Sequence, residues 1–208
     1  MKKASPSKRG PAPAGSRGDV RLAVFCSGFG SNFQAVLDSI HKKKLRAEIA
    51  LMVCDNPGAF ALSRAKKHGI PVALLSPKLF DSREAYEKVI VAVLKNQKID
   101  LIVLAGFMRI LTPYFIGAFR GRILNIHPSY LPAFKGAHAI RDAFDAEVRT
   151  TGVTVHYVTA EVDGGPVILQ EKVTIGANDT LESLEKKIHS LEHRLYPEAI
   201  GRAAAKLR

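Results

Sequence analysis

Apolar residues along this chain come in two rhythms, and each change of rhythm marks an element. Residues 20–26 are almost wholly apolar and run straight into Ser27-Gly28-Phe29-Gly30-Ser31-Asn32, after which Phe33, Val36, Leu37 and Ile40 recur at helical spacing. This pattern predicts a strand, a glycine-rich loop and a helix. An apolar run at 48–54 and a helical pattern at 59–68, which Gly69 stops before a short strand at 72–75, repeat the unit. Asp81-Ser82-Arg83-Glu84 has the form of a capping box and opens a helix that runs to residue 97. Residues 100–105 read as a further buried strand, and 122–126 as another that Pro128 ends. Strict alternation then takes over at 151–158 and 167–175, the pattern of an antiparallel pair. Helical spacing returns at 180–195, opened by Asp179 with Glu182 three residues on, and Pro197 begins a separate last helix at 197–207. Repeated strand–helix units predict an α/β fold: one domain with an open, mostly parallel twisted sheet, helices on both faces, and an antiparallel C-terminal strand pair.

Composition agrees with that fold and narrows the function. A chain of 208 residues suits a single domain with a sizeable core. No apolar run approaches the roughly 18 residues of a membrane span. Cys26 and Cys54 both end apolar strands, where a small hydrophobe is the default role. Neither a disulfide nor a metal site is expected, and a reducing cytoplasm is the natural setting. The formal charge of +12 is unevenly placed. Lys2, Lys3, Lys8, Arg9 and Arg17 lie in a Pro/Gly/Ser/Ala-rich opening with no acid before Asp19, so residues 1–18 are expected to be a disordered basic tail and 19–208 the folded domain. Other cations cluster in His41-Lys42-Lys43-Lys44 and Lys66-Lys67-His68, near predicted helix ends where they complement the dipole. Nucleic-acid binding would want aromatics interleaved with these basic residues, and none are; a small anionic substrate explains the charge equally well.

For chemistry, Asn125-Ile126-His127-Pro128 is the most informative stretch. An amide and an imidazole two residues apart on a strand share one face, where the amide could hold a carbonyl oxygen turning anionic while the imidazole manages a proton. Asp163, on the turn Asp163-Gly164-Gly165-Pro166, is able to fold back onto that imidazole. Such equipment serves acyl transfer, although a polar strand end, a half-buried histidine and an ordinary tight turn account for the same residues. The glycine loop also has two readings. Gly28 and Gly30 open like a dinucleotide fingerprint, but Phe33 stands where the third glycine belongs. The loop suits a single phosphate, with Gly30 allowing close approach and the first helix amides and the Ser31 and Asn32 side chains donating; a plain turn capped by Ser31 or Asn32 fits as well.

With these pieces in chain order, the sequence resembles the folate-dependent phosphoribosylglycinamide formyltransferases between residues 21 and 197. Five stretches carry the resemblance, at 27–32, 81–86, 104–111, 124–129 and 162–169. It implies a Rossmann-like formyltransferase domain that passes a formyl group from 10-formyltetrahydrofolate to the primary amine of glycinamide ribonucleotide, a step of purine biosynthesis. Asn125, His127 and Asp163 would be the catalytic trio, with no metal. By the same resemblance Gly30, Ser31 and Asn32 hold the phosphate, Glu192 contacts the ribonucleotide, and Arg83, Met108, Arg109, Ile110 and Leu111, with Asn125, line the folate site. Taken without the family, Arg83 is a solvated helix residue and 108–111 an apolar turn. The implied partners are small molecules, without nucleic acid or membrane, and the implied state is a monomer or homodimer. Phe29, Tyr130 and the loop at 136–139 depart from the commonest family spelling, so His138 is assigned no role. Formyltetrahydrofolate hydrolase and methionyl-tRNA formyltransferase share the trio, and a nucleotide-binding module without chemistry is the alternative of another class; the phosphate loop favours the ribonucleotide.

Overall fold

The computed structural model describes residues 19–207, so the expected tail at 1–18 lies outside the described residues. The strands are β1 (Val20–Cys26), β2 (Ala47–Cys54), β3 (Val72–Leu74), β4 (Leu101–Leu104), β5 (Ile123–His127), β6 (Thr150–Tyr157) and β7 (Val167–Thr174). Between and after them run α1 (Ser31–His41), α2 (Ala61–Lys67), α3 (Arg83–Asn96), α4 (Pro113–Ala118), α5 (Ala139–Asp145) and α6 (Leu181–Ala205). All seven strands join one sheet in the order β3-β2-β1-β4-β5-β6-β7. Pairing is parallel from β3 to β5, and β6 lies antiparallel to both β5 and β7.

Alternation along β1 explains the two cores. Leu22, Val24 and Cys26 pack with Phe33, Val36 and Leu37 of α1 and with the apolar stripe of α6, while Ala23 and Phe25 point to the other face, against Ile90 and Val91 of α3 and Phe115 of α4. Strand order turns back between β1 and β4, with α1 leaving β1 on one face and α4 following β4 on the other. At such a reversal the carboxyl ends of the strands open a crevice.

Several elements differ from the sequence expectation. The cap of α3 is Ser82, whose hydroxyl accepts from the Ala85 amide at 3.0 Å, one residue later than the Asp81 box proposed. Likewise α6 is capped by Thr180 in a reciprocal pair with Ser183, and Asp179 instead accepts from the Gly176 amide, the Ser183 hydroxyl and Lys187. Pro197 does not divide the last helix: α6 runs through it. Proline inside a helix costs about 3 kcal/mol, and burying Leu184, Ile188, Leu191, Leu195, Ala199 and Ile200 along one stripe outweighs it. The sequence reading does not include the short helices α4 (Pro113–Ala118) and α5 (Ala139–Asp145), each of which buries only one or two residues, Phe115 in α4 and Ala139 and Ala143 in α5, and so shows no apolar period.

Tyr196 ties α6 to the sheet. Its side chain is fully buried and its hydroxyl reaches the carbonyls of Leu104, at 2.8 Å, and Leu124, at 3.2 Å, so it anchors the helix beneath β4 and β5. Burial pushes this phenol well above its ordinary pKa, keeping it a donor. Tyr196→Phe strands both carbonyls in apolar surroundings and should lower stability by about 1–3 kcal/mol, read from the urea midpoint at constant slope.

Candidate active site

β5 delivers Asn125 and His127 to the carboxyl end of the sheet, on the same side of the strand as Ile123 and therefore on the α3/α4 face. Asp163 comes from the loop between β6 and β7, with φ +50. The glycine that follows next but one explains why this turn is so tight: a Cβ on Gly165 would lie 1.8 Å from the Tyr157 carbonyl oxygen, so only glycine lets the loop fold back over β6. The folded-back carboxylate stands 3.5 Å from His127 Nδ1 through Oδ2 and accepts from the Gly136 amide at 3.0 Å, while its Oδ1 lies 3.5 Å from Asn125 Nδ2. The three residues expected to act together are thus brought together.

On its other nitrogen His127 is bonded, Nε2 lying 2.8 Å from the carbonyl oxygen of Phe134. A carbonyl only accepts, so Nε2 carries the proton there, and Nδ1 faces a carboxylate that also only accepts. An imidazolium satisfies both contacts. Burial alone would push the Asp163 carboxyl up, but the hydrogen bonds from His156 and the Gly136 amide and the charges of His127 and His156 outweigh it, leaving its pKa below the usual value.

His156 is a site member that the sequence reading missed. It is buried on β6, in register with Asn125, and its Nε2 lies 3.4 Å from Asn125 Nδ2 and 3.6 Å from Asp163 Oδ1, while Nδ1 sits 2.9 Å from the Tyr157 carbonyl. The alternation of β6 marked which way this histidine points, but only the β5–β6 register reveals what it faces.

The phosphate-loop candidates lie on the opposite face. Gly30 caps α1 in the left-handed region, φ +73, and a Cβ there would meet the Ala61 Cβ at 2.7 Å, so the glycine permits both the turn and the close seating of α2. No side chain caps α1 and its first turn has no acid, which leaves amides and the positive end of the dipole for an anion. The plain-turn reading with Ser31 or Asn32 as cap does not hold, since Gly30 is the cap, and the Asn32 side-chain amide donates to Glu192 Oε2 at 3.1 Å. The contact joins Asn32 and Glu192 as a unit. Around Phe29, which is 63% exposed, Arg64 donates to the backbone carbonyl and stacks over the Phe29 and Phe60 rings.

Four of the six folate candidates, Arg83, Arg109, Ile110 and Leu111, line one cavity of about 190 Å³ together with Phe80 and Tyr86; Met108, largely exposed, and Asn125, on β5 with the trio, lie outside its lining. The Arg83 guanidinium donates to the Ile110 carbonyl, and Arg109 pairs with the buried Asp55 at 2.5 Å. The Met108 amide donates to Ser27 Oγ, and the Ser27 amide to the Gly106 carbonyl, so the loops after β1 and β4 are tied across the crevice.

Nothing in this site resembles an activated nucleophile. Ser129 is fully buried with its hydroxyl donating to the Ala133 carbonyl at 2.6 Å, and burial pushes the Cys26 thiol up to about 12.

An amide, an imidazole and a carboxylate gathered at the carboxyl end of β5 in a mixed α/β sheet have the make-up of an acyl-transfer enzyme that works without a covalent intermediate. Residues 20–200 match the formyl transferase family, and the chain belongs to it. It is 43% identical over 180 residues to phosphoribosylglycinamide formyltransferase of Bacillus subtilis, covering 86% of this chain and 92% of that one. With the Escherichia coli phosphoribosylglycinamide formyltransferase it shares 41% identity over 182 residues, 88% of this chain and 86% of the relative. Among solved structures, phosphoribosylglycinamide formyltransferase from Bacillus halodurans superposes with a TM-score of 0.87 at 49% identity, over 90% of this chain and 97% of that one.

Proposed function

We infer that this chain transfers the formyl group of 10-formyltetrahydrofolate to the primary amine of 5-phosphoribosylglycinamide, giving the N-formyl ribonucleotide and tetrahydrofolate in purine biosynthesis. The observation that carries the reading is the arrangement of two substrate sides about one sheet edge: an uncapped helix start with Asn32 and Glu192 on the α1/α6 face, and the trio with the Arg83–Leu111 cavity on the α3/α4 face. The amine attacks the formyl carbon. Asn125 Nδ2 and protonated His127 stabilise the oxygen that becomes anionic, Asp163 holds the imidazolium, and the proton passes to the departing folate nitrogen. Because His127 Nε2 is bonded to the Phe134 carbonyl, that bond must be exchanged for one to substrate during the reaction. Buried thiols and small-molecule substrates fit a cytoplasmic enzyme.

The test uses purified protein with 10-formyltetrahydrofolate. Tetrahydrofolate should appear rapidly only when the ribonucleotide is added. Release without any acceptor would instead mark a hydrolase, transfer to charged initiator tRNA would mark the tRNA enzyme, and ribonucleotide binding without turnover would mark a binding module.

The carboxylate makes a separate prediction. With its folded pKa lowered, Asp163 stays ionised down to below the ordinary carboxylate range, so the acid limb of kcat that it contributes lies there, and its stabilising effect is lost only as pH falls through that lowered value. Asp163→Asn should lower kcat and abolish this limb. A pH–rate profile unchanged in the variant would reduce Asp163 to a turn residue.

A further inference from the structure

We propose that His189 is a positioning residue for the ribonucleotide, holding the Glu192 carboxylate against the phosphate loop in its protonated form and so making ribonucleotide binding depend on pH. The proposal rests on the ribonucleotide reading of Ser31, Asn32 and Glu192 given above.

Glu192 is 4% exposed, and a carboxylate so buried needs partners. It has two, and both fall on Oε2: the Asn32 side-chain amide at 3.1 Å and His189 Nδ1 at 2.9 Å. Asn32 is itself only 8% exposed, and its Oδ1 is buried with no hydrogen-bond partner. A polar atom in that condition is what a ligand hydroxyl or amide would satisfy. His189 occupies the outer end of this relay, its side chain half exposed on α6.

Charge gives the relay its direction. A phosphate dianion at the start of α1 would sit next to Asn32, directly behind which lies a second anion, Glu192. A cation on His189 offsets that repulsion and keeps the carboxylate from turning toward the dianion. The charged and titratable groups that act on the His189 ring are Glu192, Glu185 and His193, all of α6, while across from α6 the Asn32 amide of α1 shares Glu192 with it. Donating its Nδ1 proton to the Glu192 carboxylate raises the His189 pKa against the opposing effect of burial, with the charges of Glu192 and Glu185 adding to the rise. For His193 burial prevails and lowers the pKa, so of the two histidines flanking Glu192 it is His189 that holds its proton to higher pH. As pH rises through the His189 value the ring loses its proton, Glu192 keeps only its amide donor, and ribonucleotide affinity falls.

The experiment measures KM for β-glycinamide ribonucleotide and for 10-formyltetrahydrofolate in the full-length protein and in His189→Gln, from roughly pH 6 to 9, a span that brackets the ordinary histidine value. Glutamine at this half-exposed position keeps a donor but cannot titrate. Titration of the substrate's own phosphate and amine is common to both proteins, so it cancels in the ratio of their KM values. That ratio should be about threefold or more at the acid end, a modest value because solvent screens the pair, and should fall toward one at the alkaline end. Folate KM and kcat should stay insensitive to the substitution. In parallel, the NMR titration of the His189 ring in the native protein should move to higher pH when the ribonucleotide saturates, and to lower pH in Glu192→Gln. A ratio flat with pH, or a His189 titration that the ribonucleotide leaves in place, overturns the proposal alone. Failure of the ribonucleotide to saturate either protein overturns the parent reading and this one with it.

Discussion

His127→Ala should lower kcat by about 10²-fold or more while leaving the KM for ribonucleotide nearly unchanged, because the imidazole acts on charge and protons that develop only in the transition state. The ring is 4% exposed and clamped between the Phe134 carbonyl and Asp163, so its removal also leaves a buried carboxylate short of one partner. A stability loss of about 1–3 kcal/mol should accompany the kinetic one, and circular dichroism at the assay temperature separates the two. Asn125→Ala should behave alike, with the difference that Asp163 keeps both histidines. Wild-type kcat in folded His127→Ala would remove the imidazole from the reaction.

The dephosphorylated acceptor, glycinamide riboside, should react with a kcat/KM lower by about 10²- to 10⁴-fold. The estimate follows from losing two charge-assisted bonds, each worth about 1.5–3 kcal/mol, to the free amides that open α1. Folate KM should not follow, since its candidate residues lie on the other face of the sheet. Ser31→Ala should reproduce only a small part of that loss, because it leaves the backbone amides that open α1 in place. Equal rates with riboside and ribonucleotide would mean that the Gly30 turn is structural.

Local pattern was enough to write down most of this fold. β1, β2 and β4 are read from nearly unbroken apolar runs because a strand covered on both faces has few polar positions, and β6 and β7 from their alternation. Asn125 and His127 share a face by the period of the strand alone, and Gly30 is legible as a turn that no side chain other than hydrogen would allow. Helix boundaries were less secure where two polar residues compete for one cap: Ser82 prevailed over Asp81 and Thr180 over Asp179, decided by which backbone was extended when the helix began.

What the sequence determined by itself was therefore the set of elements, their alternation in chain order and the pair of groups on β5, since each depends on residues within a few positions of one another. Tertiary structure alone decided the rest of the site. Asp163 reaches His127 only because Gly165 lets the turn close on β6, His156 meets Asn125 only through the register of β5 with β6, and Asn32 finds Glu192 across 160 residues only because α1 and α6 pack on one face. The continuity of α6 through Pro197 was settled in the same way, by a buried stripe whose worth no local propensity contains. Contacts of this kind are set by packing energy summed over whole faces, and one-dimensional spacing carries no record of them.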